Sequence, residues 1–162
     1  MRPSAPTLSL LLVLALFLWA GMVAGISFLE APLKFTAPHI TVVLGVGIGR
    51  IVFHALNKVE LVLSVVALLC AGWLQVPGRV WVALFAAVGI LLAQSFWLLP
   101  ALDVRAEALL AGSPNPPNSQ HVTYIVLEAL KLLSLLTGGG MAFGWAVRMA
   151  RRQTAHRFSQ NA

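Results

Sequence analysis

Glu128 and Lys131 stand three residues apart in the apolar run HVTYIVLEALKLLSLL, with Tyr124 one turn earlier and Ser134 three residues later. On a helix these four residues share a face. A charge in the middle of a membrane-length apolar helix costs about 2.5–3.5 kcal/mol, so residues of this kind are paired, compensated or functional. Two chemistries fit. One is a Glu–Lys pair neutralised against neighbouring helices; the other is a polar stripe that binds a proton, an ion or a lipid head group. Glu30 and Glu60 lie at the edges of other apolar runs, with Arg50, His54 and Lys58 in the sequence between them. Either these two carboxylates are solvated at a membrane boundary, or they join the other charged groups in one internal cluster. The candidate binding set is therefore Glu30, Arg50, His54, Glu60, Tyr124, Glu128 and Lys131.

Other chemistries find less support. Neutral imidazoles bind haem and copper, which makes His54 and His121 the weak candidates for a metal-dependent redox protein. His39, His54 and His121 form no HxxxH or HxxH pair, and CxxC is absent; no cofactor is expected, with haem or copper the alternative. No Ser-His-Asp order, GxSxG or paired-carboxylate spacing points to hydrolysis, and no catalytic residue is assigned. The single cysteine, Cys70, reads as a small buried hydrophobe and precludes an intramolecular disulfide. GVGIG at 45–49 lacks the GKS or GKT ending of a phosphate loop and reads as close helix approach or local bending. Gly138, Gly139 and Gly140 each cost about 1 kcal/mol against alanine in a helix, which implies a hinge, a broken helix or a tight packing site. Gln94 and Ser95 read as interhelical hydrogen-bonding groups.

The elements that must position these residues follow from composition. The 162 residues are 59% apolar and only 10% charged, with a mean hydropathy of +0.89. That excludes an ordinary water-soluble enzyme, and the net charge of +6 comes with too few charged residues for a nucleic-acid binder. Runs at 8–29, 59–76, 80–99 and 121–147 are long enough for helices that cross a hydrocarbon core of roughly 30 Å. A cleaved signal peptide is the rival reading of the first. Trp73, Trp81, Trp97 and Trp145 fall near span ends, where an indole keeps its N–H wet. The stretch 36–57 is ambiguous: His39, Val43, Gly47, Arg50, His54 and Asn57 line up at helical spacing. They suit an amphipathic or re-entrant segment, with a charge-bearing fifth span as the alternative. Pro100 is expected to end the third span, leaving 100–120 as a short helical turn and a proline-stiffened loop. Arg148, Arg151, Arg152 and Arg157 follow the last span, so the positive-inside rule puts the C-terminus in the cytoplasm, with anionic lipids as further contacts.

LWAGMVAGISFLEAPLKF at 18–35, GIGRIVFHALNKVE at 47–60 and YIVLEALKLLSLL at 124–136 together resemble the TMEM205-like or DUF4149-like family of small integral membrane proteins. The resemblance covers most of residues 9–147. It implies that Trp19 and Gly21 correspond to a small-residue turn of the first helix, Pro32 and Phe35 to a proline-aromatic exit, and Phe53 to the aromatic before span two. It implies a four-helix membrane domain and an amphipathic 36–57 segment, and no established reaction.

The expected architecture is an all-α polytopic membrane bundle of four transmembrane helices plus an amphipathic or re-entrant segment between the first two, over 1–147, with a basic cytoplasmic tail at 148–162. The expected function is transport or binding of a small solute, ion or lipid head group at an interhelical polar cluster in the cell inner membrane. The alternatives are the haem or copper redox protein and a non-catalytic accessory subunit of a membrane complex. Expected partners are membrane lipids and either a second copy of the chain or a larger membrane complex, not nucleic acid.

Overall fold

A chain this apolar has to close its backbone hydrogen bonds within each segment, and a helix does so without help from neighbours. The computed structural model describes residues 4–112 and 119–160, and among them there is no strand. Four helices, Ala5–Thr36, Val42–Leu74, Gly78–Leu110 and Gln120–Arg152, are long and apolar enough to cross a membrane. The last is part of one helix, Ser119–Gln160. The protein is an all-α polytopic bundle.

Short connections make successive helices antiparallel. The first turn holds Pro38 and His39, whose φ of 66° breaks the helix, and Thr41 then caps the second helix by accepting the Leu44 N–H at 3.2 Å. The second turn passes through Gln75 in the left-handed region, φ 49°, and Pro77. The first helix packs against the second and the fourth, and the third packs against the fourth, while the second and third touch more thinly. Leu12, Leu16, Leu84, Leu91 and Leu135 fill the half of the bundle nearer the Gln75 turn. Large apolar side chains such as Leu14, Val62, Phe85, Phe96 and Leu133 point outward. Glu60, Gln94, Glu128 and Lys131 are buried. An apolar exterior around a polar interior is the arrangement that lipid favours and water does not.

The ambiguous 36–57 segment is where the sequence reading and the structure part. Residues 42–57 are the first half of the second helix, with no break before Leu74. Nothing in that half stops a helix once Thr41 has started it, and Gly45 and Gly49 act as seats rather than bends. A β-carbon at Gly45 would collide with the Phe35 ring, and one at Gly49 would stand 2.8 Å from Lys34 Nζ. The segment therefore returns along the end of the first helix instead of lying flat. The resulting 33-residue helix is ~50 Å long at 1.5 Å per residue, well beyond a 30 Å hydrocarbon core.

Pro100 likewise does not end the third helix, which continues to Leu110. A proline gives no N–H to the carbonyl four residues back and crowds it. Here the turn before the proline widens into a π-helical stretch, Gln94–Leu98, with the Leu99 N–H bonded five residues back to Gln94. The first helix does the same before Pro32, over Ala24–Glu30. Such widened turns recur at functional sites in helical proteins, and these two carry Ser27 and Gln94. The Gly138–Gly140 run stays helical throughout. Packing accounts for two of the three: a β-carbon at Gly138 would lie 3.1 Å from Ala83 and one at Gly139 would lie 3.2 Å from the Phe17 ring, whereas one at Gly140 would meet nothing within 4 Å.

Candidate functional site

Four of the buried polar residues, Glu60, Gln94, Glu128 and Lys131, form one layer across the bundle. Lys131 of the fourth helix donates to Glu60 Oε1 of the second at 2.6 Å, to Glu128 Oε1 of its own helix at 3.0 Å, and to Gln94 Oε1 of the third at 2.7 Å. Those three acceptors match the three protons of an ammonium. Gln94 turns its Nε2 back to Glu128 Oε1 at 3.1 Å. The first helix adds Trp19 Nε1, which donates to Glu60 Oε1 at 2.7 Å, and Ser27 Oγ, which donates to Glu128 Oε2 at 3.2 Å. Tyr124, one turn before Glu128, also interacts with that carboxylate. All four helices therefore contribute to the layer. Among the described residues no buried polar side-chain atom lacks a partner, which is the condition for charge to persist away from water.

A second ionic group lies nearer the Pro38 turn. Arg50 bonds Asp103 Oδ1 through Nε at 2.9 Å and Glu107 Oε1 through Nη2 at 2.7 Å. His54 Nε2 lies 2.8 Å from Asp103 Oδ2. One turn deeper, Asn57 donates to Ser95 Oγ at 2.7 Å. Lys34 pairs with Glu30 at 3.5 Å, an i, i+4 contact. Its ammonium also sits 5.7 Å from the centre of the Phe35 ring and 5.5 Å from that of Phe53, within cation–π range.

Between the two groups is a cavity of about 570 Å³. Its walls are chiefly carbon, from Phe28, Phe35, Phe53, Leu99, Leu102 and Leu109. Phe53 and Tyr124 meet edge to face with centroids 5.3 Å apart. The polar layer closes one end through Ser27, Tyr124 and Glu128, and Lys34, Arg50, Asp103, Arg105 and His121 line the rest.

The seven candidate residues therefore divide. Glu60, Tyr124, Glu128 and Lys131 come together in the buried layer, and Arg50 and His54 meet Asp103 in the outer group. Glu30 pairs only locally among the contacts described, so one cluster embracing all seven does not form. The separation is physical: Arg50 and His54 lie three and one and a half turns before Glu60 on a straight helix. His54 engages Asp103 and His121 lines the cavity. Among the described residues no group of three His, Cys, Asp or Glu side chains is placed to hold a metal ion.

Sequence reasoning missed Trp19, Ser27 and Asp103. Trp19 had a signal: four of the five tryptophans lie near span ends, whereas an indole N–H in mid-span needs a partner. Asp103 was hidden by placing it in a loop beyond Pro100. Ser27 depends on the widened turn, which has no clear sequence mark. No family model, curated protein or solved structure matches the chain, so the site is read from its own geometry.

Proposed function

We propose that the protein is a membrane carrier or binding protein for a small amphiphile, with the ligand's apolar body in the cavity and its polar head at the Ser27–Tyr124–Glu128 end. The observation that carries this reading is the joining of carbon walls to one fully buried carboxylate, Glu128. Ligand sites combine an apolar enclosure with a few convergent polar groups in this way. All four helices of one chain contribute residues to the cavity wall.

The reading includes an orientation. Arg79, Arg148, Arg151 and Arg152 cluster at the ends away from the cavity, with Arg157 after them in the sequence, while Lys34, Arg50, Lys58 and Arg105 share the cavity half with all five acidic residues of the chain. Under the positive-inside rule the cavity faces the outer side of the cell inner membrane, with the C-terminus in the cytoplasm. Kinship with the DUF4149-like family belongs to the same proposal and brings no reaction with it.

The test is equilibrium binding of an alkyl-chain fluorophore to the protein in lipid nanodiscs, compared with Leu102→Trp, which fills the cavity from its wall. Binding is expected to weaken at least about tenfold, the equivalent of 1.4 kcal/mol. Unchanged binding in a variant with an unchanged melting temperature would remove the cavity from the function.

A further inference from the structure

Counted whole, the cavity half is neutral, with Lys34, Arg50, Lys58, Arg105 and Lys131 against five carboxylates. The lining of the cavity leans toward positive charge. Lys34, Arg50, Arg105 and His121 reach it, whereas among the described residues Asp103 and Glu128 are the only carboxylates there. Both are already engaged: Asp103 holds Arg50 and His54, and Glu128 is bonded by Lys131, Gln94 and Ser27. Glu30 and Glu107, the other partners of Lys34 and Arg50, stand outside the lining.

Lys34 is the lining cation whose bonding is least complete. Its side chain is 10% exposed. Among the described residues its ammonium nevertheless makes one hydrogen bond, to Glu30 Oε2 at 3.5 Å, beyond the usual range for an N–H donor. Lys131, with the same three N–H donors, has three acceptors within 3.0 Å. The rings of Phe35 and Phe53 attract the Lys34 charge, yet two donors on a nearly buried cation are left without an oxygen. Arg105, which has a contact of its own, and His121 lie nearby, and the charges of Lys34 and Arg105 both act on the His121 ring. Cations gathered at one end of an apolar cavity repel one another. An anion among them relieves that repulsion and supplies the oxygens that Lys34 lacks. His121 lies seven residues before Glu128 on the fourth helix, about 10 Å along its axis, so the basic group and the polar layer bracket the carbon walls.

Building on the proposed carrier function, we infer that the ligand is an anionic amphiphile whose carboxylate or phosphate is held by Lys34, beside Arg105 and His121, at the end of the cavity opposite Glu128. The polar group that reaches Ser27, Tyr124 and Glu128 is then uncharged, a hydroxyl, because a second anion would face a carboxylate where water is excluded. The ligand is polar at both ends, with an alkyl segment between them against the carbon walls. No covalent bond is made or broken on binding.

Probes of one chain length test this on the full chain in phosphatidylcholine nanodiscs, with empty discs as the blank and at a pH where decanoate is ionised: decyl phosphate, decanoate, 10-hydroxydecanoate, 1-decanol and decyltrimethylammonium. Both decyl phosphate and decanoate are expected to bind at least about tenfold tighter than 1-decanol, and 10-hydroxydecanoate at least about threefold tighter than decanoate. Lys34→Gln is expected to narrow the anion-to-alcohol ratio to about twofold or less, and Lys34→Arg to keep it. Tighter decyl phosphate points to a lipid head group and tighter decanoate to a free fatty acid; either order supports the anion site. 1-Decanol or decyltrimethylammonium binding as tightly as the anions, or a ratio unchanged in Lys34→Gln, would each overturn that site, and no gain from the added hydroxyl would overturn the two-ended ligand. Those outcomes would leave amphiphile binding intact. Failure of every probe to bind would instead strike the carrier reading itself.

Discussion

Two ionic groups built from the same residue types sit about two turns apart in this bundle and are held in different ways. In the outer group, Arg50 and Glu107 meet at 2.7 Å with 34% and 62% of their side chains exposed, so water competes for both. In the buried layer, Lys131 and Glu60 meet at a similar separation with 0% and 2% exposed. Exposed pairs of the first kind contribute roughly 0–1 kcal/mol. For the second kind the attraction is largely offset by desolvation, and what matters is the cost of leaving one member without the others. Distance alone would rank the two as equals. Burial separates them: water screens the outer pair, whereas the inner one is balanced only by the side chains around it.

The comparison is broken most forcefully at Lys131. Lys131→Met leaves two carboxylates facing each other in a dry layer, and a loss of roughly 3–5 kcal/mol is expected, read as a large fall in melting temperature in a fixed detergent. Adding Glu60→Leu and Glu128→Leu should recover most of that loss, because the charge itself, not the missing contacts, is what destabilises. A triple variant as unstable as the single one would refute this account.

Trp19→Phe keeps a ring in the core and removes the indole N–H from Glu60, a hydrogen bond to a charged acceptor. A loss of about 1.5–3 kcal/mol is expected, comparable to other bonds of that class, and calorimetric unfolding measures it. A change below the error of that measurement would mean that Glu60 does not depend on the first helix.

At Gly45 the expected effect is of similar size but different origin. Gly45→Ala forces the Phe35 ring aside, with an overpacking cost of about 1–3 kcal/mol. A smaller cavity for alkyl probes should accompany it, since Phe35 is part of the wall. Gly49→Ala, opposed only by the flexible end of Lys34, is expected to be milder. The reverse order would show that the aromatic seat is not what fixes the second helix.

The smallest effect belongs to the outer group. Glu107→Gln should change stability by under about 1 kcal/mol, and the change should shrink further as salt is raised. Unfolding midpoints at low and high salt provide the check, and a salt-insensitive loss of several kcal/mol would place this pair in the same class as Lys131.

Much of the fold was legible because it rests on local arithmetic. Apolar runs long enough to span, the Pro77 turn and the scarcity of charge follow from composition and spacing, and the four helices agree with them. Boundaries were less legible. Pro100 and Pro32 resemble stops in a sequence, yet a widened turn upstream relieves both. The 42–57 stretch resembles a surface segment because the partner of Arg50 and His54, Asp103, lies on another helix and about fifty residues away. At the site, Glu128 and Lys131 pointed to each other through helical spacing alone. Glu60 joined them from another helix, a relation that no local spacing encodes.

By itself, then, the sequence determined that this chain is helical, crosses a membrane and must reconcile a few charges with lipid, since those conclusions follow from hydropathy, segment length and the cost of unpaired charge. The tertiary structure alone decided which charges meet. Partnership across helices depends on their rotation and depth, set by seats such as Gly45 and by the widened turns, and it is that choice which leaves two carboxylates with one ammonium at the end of an aromatic cavity.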